Sequence, residues 1–260
     1  MSEILGIFTE LVTHQAFPKD WVVMQMLQND VILSAVQSLS VTLQDSFLVG
    51  SDFAVELWLR FFTLSVTFLT QPNLQLEQFS DTKRDKILSK HDDKRVFMAF
   101  QISTMWNALG ARKIDFIPTL IKPFLEMTLV PEVQLRKETI PICFDMIECA
   151  LRAHGSFQEV ETEIIDKIDV LVSGGRGDSS YVDLFVRILT EKCEEHAGQF
   201  TPEQVEQIRR FIESAHDLLK RLLSLRNVPP GSDHSGTWFF FFWFGAARSP
   251  PPPLSLLVVS

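Results

Sequence analysis

The sequence predicts an all-α fold of stacked helices, an armadillo- or HEAT-like α-solenoid of short, proline-punctuated helices. Three observations carry this: apolar residues recur at three- and four-residue steps through most of the chain, no stretch alternates with a strand's period of two, and prolines punctuate the apolar region from 113 to 152. The recurrence gathers apolar side chains onto one face of each helix, and that face must be buried on a neighbour. Short gaps between helices fit a stack of helix pairs, while a compact helical bundle, which needs no repeat period, is the other all-α arrangement the pattern allows.

Taken in order, helices are expected over Ile4 to His14, Pro18 to Gln28, Val31 to Phe47, Phe53 to Thr70 and Thr82 to Ser89. The next apolar stripe is Met98, Ile102, Met105 and Leu109, ending at Gly110. Between 113 and 152, Pro118, Pro123, Pro131 and Pro141 interrupt apolar sequence, and an interior proline removes a backbone donor and clashes with the preceding turn, so short broken helices are expected. Ser156 with Glu159 forms a capping-box pattern ahead of Val160, Ile164, Ile168 and Leu171. The run SGGRGDSS is then a turn whose glycines supply positive φ, with Asp178 or Ser179 capping a helix that carries Tyr181, Leu184, Phe185, Ile188 and Leu189. The last helix has the fullest signature: Thr201 to cap, Pro202 in the first turn, Gln204 to complete the box, and a stripe of Val205, Ile208, Ile212, Ala215, Leu219 and Leu222.

Composition changes abruptly near Asn227. Residues 1–228 are expected to form the helical scaffold, and residues 229–260 a low-complexity, disordered or non-native tail: seven consecutive aromatics from Trp238 to Phe244, then Pro250 to Pro253. Exposed aromatics in such a run are an aggregation hazard, and Phe, Pro, Leu and Ser are what pyrimidine-rich codons specify, so read-through into non-coding sequence is the expectation for the tail.

The remaining motifs are weak. A net charge of −9 without a basic stripe argues against nucleic acid. Cys143, Cys149 and Cys193 are odd in number and lack CxxC spacing, which reads as reduced thiols in a cytoplasmic protein. The first thirteen residues lack a basic leader, and no apolar run reaches the ~20 residues of a transmembrane helix. Gly174, Gly175 and Gly177 lack the Lys-Ser or Lys-Thr of a nucleotide loop, and no HExxH or GxSxG pattern occurs. Arg176, Gly177 and Asp178 spell an integrin-type tripeptide, but with no secretory leader a turn is the reading. Cys193 and His196 could share a helix face, yet no further metal ligands lie near them in sequence. Pro250 to Pro253 after Arg248 has PxxP spacing, an SH3-ligand pattern. Trp21, Trp58 and Trp106 sit in apolar stripes and are expected in the core. No catalytic, cofactor-binding or metal-ligating residue is assigned.

Four stretches are more specific: Gln75 to Leu88 (QLEQFSDTKRDKIL), Met105 to Ile147, Val160 to Asp169 (VETEIIDKID) and Ser173 to Tyr181 (SGGRGDSSY). They resemble the dedicator-of-cytokinesis (DOCK) family, its Rac-activating branch most closely, in a collinear likeness from about residue 4 to 226. That resemblance implies the armadillo-like region upstream of the family's exchange region, in a parent protein that exchanges GDP for GTP on Rho/Rac GTPases in signalling to the actin cytoskeleton. It implies a GTPase partner bound through an exchange region this chain does not match, other protein partners on the solenoid surface, and a cytoplasmic parent recruited to membranes. Where the family reads Lys-Tyr-Gly-Asp-Met-Arg the chain has Lys90, His91, Asp92, Asp93, Lys94 and Arg95, and Ser224 and Leu225 replace an acidic residue and Tyr. The other functional reading is a free-standing helical adaptor that binds partner peptides along a groove.

Overall fold

The computed structural model describes residues 1–226 apart from residues 15 and 49–52. Among the described residues there are ten α-helices and no strand: α1 (Ser2–Thr13), α2 (Val22–Phe47), α3 (Val55–Thr70), α4 (Asp81–His91), α5 (Lys94–Ala108), α6 (Lys113–Thr128), α7 (Val133–His154), α8 (Gln158–Ser173), α9 (Ser179–His196) and α10 (Pro202–Arg226). Residues 1–223 form one compact unit, and residues 224–260 group separately, of which only the last turn of α10 is described. The tail, with its aromatic run and PxxP spacing, lies outside the described residues.

Within the first unit the helices stack in two layers. In one, α1 packs on α3, α3 on α6 and α6 on α8; in the other, α2 packs on α5, α5 on α7 and α7 on α9. The chain is thus an all-α helical repeat solenoid. Second-layer neighbours run parallel, since Asp30, Ser40 and Gln44 of α2 meet Lys94, Gln101 and Met105 of α5 in the same order.

Aromatic rings fill the space between the layers. Phe62 of α3 meets Phe124 of α6 edge-on at 5.4 Å, and Trp106 of α5 meets the same ring at 5.4 Å. Such edge-to-face contacts add to the large area each ring buries. Trp58 and Trp106 are fully buried as expected. Trp21 is not: it sits ahead of α2, is 56% exposed and stacks on Phe17 at 6.4 Å, because the linker it occupies faces no second layer.

Local signals explain several helix ends. Thr201 and Gln204 exchange hydrogen bonds at the start of α10, at 3.0 and 3.3 Å, as the capping box predicts. Asp178 caps α9 by accepting from the Tyr181 N–H at 3.0 Å. The Ser156 box does not form as drawn: the helix opens at Gln158, and Ser156 Oγ accepts from the Gln158 N–H at 3.3 Å.

Two expectations about continuity are corrected. Pro18 to Gln28 and Val31 to Phe47 are not separate helices, since α2 starts at Val22 and runs unbroken through Asn29 and Asp30, which include neither Pro nor Gly. Nor do the prolines chop the region after 113. Pro118 and Pro123 lie inside α6 and Pro141 inside α7, while Pro131 alone falls in a helix–helix connection. Pro118 is exposed and the other two are half-buried. The carbonyls that Pro123 and Pro141 leave without a helical donor belong to Thr119 and Lys137, both exposed residues, a setting in which solvent access lowers the cost of the lost bond. Among the described residues no helix is long and apolar enough to cross a membrane.

Asp92 ends α4 at φ 53° and ψ 173°, a region essentially reserved for glycine. Asp92→Gly is therefore expected to raise stability by about 1 kcal/mol, read as a higher urea midpoint, since relief of strain outweighs the added unfolded-state entropy. Ile164, with no exposed surface in the seam between α8 and its neighbours, gives the opposite test. Ile164→Asp is expected to unfold the chain, since an unpaired buried charge costs several kcal/mol, and Val170→Asp on the same helix, at a position 62% exposed, to leave the thermal midpoint nearly unchanged.

Candidate functional site

The polar side chains that the fold brings together join helices to one another. Arg136, in the first turns of α7, is 1% exposed. Its Nη1 donates to Asp178 Oδ1 and Ser180 Oγ, both at 3.0 Å; Nη2 donates to Asp178 Oδ2 at 2.6 Å and the Leu129 carbonyl at 3.2 Å; Nε donates to the Val130 carbonyl at 2.9 Å. All five guanidinium N–H groups are thus engaged, the condition on which a buried arginine is tolerated. The guanidinium also lies 5.3 Å from the Tyr181 ring, and the Tyr181 hydroxyl is 3.0 Å from Thr128 Oγ1.

This cluster absorbs the integrin-type tripeptide. Arg176 pairs with Glu126 at 2.9 Å, and Asp178 serves at once as the cap of α9 and the counter-ion of Arg136. Gly177, at φ 75°, comes so close to α6 that a Cβ there would sit 3.0 Å from Leu129 Cδ2. The turn is thus fixed by glycine geometry and by ion pairs on both sides.

A second cluster repeats the device at the start of α5. Arg95, 2% exposed, donates to Asp93 through Nε and Nη2 and to Glu77 through Nη1 at 2.9 Å, while Asp93 caps α5 by accepting from the Arg95 N–H at 3.0 Å. Beside it, Lys94 pairs with Asp30 of α2. Farther along, Trp106 Nε1 donates to Asp145 Oδ2 at 2.6 Å, and Lys113 pairs with the same carboxylate at 2.8 Å. Glu148 of α7, 5% exposed, pairs with Arg152 and lies 2.9 Å from His196 Nδ1 of α9.

The remaining candidates separate. Cys193 is buried in the core, whereas His196 turns to Glu148, so the two are not a ligand pair. Burial pushes the Cys143 thiol up to about 12 and Cys149 up to about 11, with the nearby Asp145 adding to the second. Neither is a thiolate nucleophile near neutral pH. Among the described residues no three His, Cys, Asp or Glu side chains converge as a metal would require. Between α6 and α8 runs an open groove of about 630 Å³, floored by Ile117, Pro118 and Ile121 and edged by Glu159 and Glu163. Sequence reading missed two surface aromatics, Phe97 and Phe100, which are 47% and 45% exposed on α5. Their signal was available: they fall outside the Met98, Ile102, Met105 stripe.

Two stacked layers of helices tied by buried ion pairs define a helical repeat protein. Residues 1–188 match the family model described as the dedicator of cytokinesis (DOCK) TPR region. The chain is 40% identical over 235 residues to human dedicator of cytokinesis protein 3, covering 89% of this chain and 12% of that protein. It is 41% identical over 225 residues to human dedicator of cytokinesis protein 4 and 44% identical over 187 residues to the mouse form, 86% and 72% of this chain. The chain belongs to the dedicator of cytokinesis family. It spans 12% or less of the length of these relatives.

Asp178 provides a test of the Arg136 cluster. Burial raises its pKa, but hydrogen bonds from Arg136 and Ser180 and the charge of Arg136 outweigh that and hold the carboxyl at about 2. A depressed folded-state pKa gives stability that is present above the unfolded value of about 4 and is lost as pH falls toward about 2. Asp178→Ala leaves a buried guanidinium without its counter-ion. The expected result is a loss of about 3 kcal/mol near neutral pH, with a shallower fall in stability below pH ~4 than in the unsubstituted chain. An unchanged urea midpoint at pH 7 would contradict the role given to the pair.

Proposed function

We propose that the chain is a scaffold segment of a DOCK-type guanine-nucleotide exchange factor for Rho/Rac GTPases, itself without the exchange region. In this reading residues 1–228 are the scaffold and residues 229–260 an appended tail. The observation that carries it is the 40% identity to dedicator of cytokinesis protein 3 along 235 residues, in a chain whose buried polar groups are spent on helix–helix ties. A stack with its register set by ion pairs resists shear between neighbouring helices, the property a spacer between functional regions needs. The GTPase would be engaged through polypeptide outside this chain, the parent would act in the cytoplasm, and its recruitment to membranes would depend on other regions.

The second reading, a helical adaptor, is favoured by Phe97 and Phe100, because exposed aromatics are enriched where proteins dock. The transcript separates the two: splicing near the codons for Asn227 and Val228 into further helical sequence supports the spacer, and a genuine stop supports the adaptor. The negative half of the proposal is tested directly. The purified chain is expected to leave GDP release from nucleotide-loaded Rac at the buffer rate, and acceleration above that rate would overturn it.

A further inference from the structure

Glu77 and Asp93 stand on either side of α4, and one buried guanidinium holds both: Arg95 Nη1 donates to Glu77 at 2.9 Å and Nη2 to Asp93 at 2.7 Å. Next to it, Lys94 pairs with Asp30 and so fixes the start of α5 on α2. The chain between these carboxylates, residues 78–92, therefore leaves the stack and returns to the same guanidinium. It is an excursion closed at its base by charge-assisted hydrogen bonds.

Beyond the base, little holds it. α4 belongs to neither layer and shares an extended seam with no other helix. It buries one side chain, Ile87, the fewest of the ten described helices, whereas α5 buries seven. Leu88 and Phe79 are half-buried against the core, with Lys83 Nζ 4.2 Å from the Phe79 ring. At its end the His91 carbonyl accepts from Lys94 at 3.0 Å, and His91 Nδ1 lies 3.9 Å from Asp30. No side chain caps its start, and it stops at the strained Asp92. Lys83, Lys86 and Lys90 follow one another at i, i+3 and i+7 along its exposed side, like charges that weaken a helix, against one internal ion pair, Arg84–Asp81. Its eleven residues are too few to stay helical alone in water.

We propose that residues 78–92 are a strap that opens as one unit, α4 unfolding while Arg95 keeps the base closed and both layers stay folded. Opening uncovers Ile87 and the inner parts of Leu88 and Phe79 and gives up the Lys94–His91 bond. In return it relieves the backbone strain at Asp92 and restores conformational freedom to the whole excursion. Breaking the base would instead strand a buried guanidinium without its counter-ions, the costlier event. Because α3 and α5 pack on each other directly, the stack keeps its continuity when α4 leaves. The open strap carries Lys83, Lys86 and Lys90 on a tethered, flexible arm, so an otherwise passive stack holds one element whose order a ligand can switch. The inference stands apart from the scaffold reading, since the stack is the same in both states.

Native-state hydrogen exchange of the full chain in rising urea tests it. The N–H groups from Arg84 to Asp92 are expected to be at least about 100-fold less protected than those of α5, and at rates that scarcely respond to urea, because a local opening exposes little surface. The step in protection is expected at the base, with the Arg95 and Val96 N–H groups, both bonded to Asp93, protected along with α5. Ile87→Ala gives a second reading, since emptying a buried isoleucine weakens the closed form by about thirtyfold or more. Protection of α4 is then expected to vanish, while that of α5 and α7 falls by no more than the factor that protected α4 in the unsubstituted chain, because the open form keeps its stack. Exchange of α4 with the steep urea dependence of α5 overturns the proposal. A loss in α5 beyond that cap overturns it too, since either result means that α4 unfolds only with the stack.

Discussion

A guanidinium taken out of water keeps its charge, so Arg136 can occupy the interior of α7 only while all five of its N–H groups have acceptors. That requirement reaches well beyond one residue. Two acceptors are the first carbonyls of the α6–α7 connection, at Leu129 and Val130, and the rest belong to Asp178 and Ser180 at the start of α9. Meeting it therefore fixes where α6 ends, where α9 begins and how α7 lies between them. Asp178 can cap α9 and pair with Arg136 at once only if the preceding turn closes tightly, which Gly177 makes possible by its positive φ and its close approach to Leu129.

The same logic recurs along the second layer. Asp30–Lys94 ties α2 to α5, Trp106–Asp145 ties α5 to α7, and Arg136–Asp178 with Glu148–His196 ties α7 to α9. Between the layers aromatic rings also meet, with Trp106 of the second layer set edge-on against Phe62 and Phe124 of the first. The two kinds of contact do different jobs. Apolar burial supplies most of the stabilisation but tolerates sliding, whereas a desolvated ion pair adds little net energy and strongly disfavours any register that breaks it.

The helices themselves were legible because their apolar spacing is local. Ile164, Ile168, Ile208 and Leu219 are buried where periodicity puts them, and the Thr201–Gln204 box forms from residues three apart. What was illegible depends on partners distant in sequence. Whether Pro118, Pro123 and Pro141 break a helix depends on whether the freed carbonyl faces water, and that is set by which neighbour covers the other side. Trp21 has the composition of a core residue and lacks a partner layer. Arg95 and Arg136 left a trace that sequence reading passed over: each lies on the buried face, beside Met98, Ala99 and Ile102 in one case and Leu135, Thr139 and Ile140 in the other. A charged residue in an apolar stripe announces a buried partner without naming it, and Asp178 is 42 positions away.

This division bears on how firmly such a stack holds its register. In a stack where each helix contacts only its neighbours, small errors in packing accumulate with length, so a purely apolar seam would yield a flexible rod. Polar ties at successive second-layer joints limit that accumulation, because each disfavours any register that breaks it, and some are anchored at a helix start whose cap they also complete. Asp93 with Arg95 and Asp178 with Arg136 both show the coupling: the residue that ends the loop is the residue that fixes the next helix against another element. Cap, turn and inter-helix tie then form or fail together. The ties that fix register are therefore concentrated near loops, where repeat proteins are ordinarily most compliant.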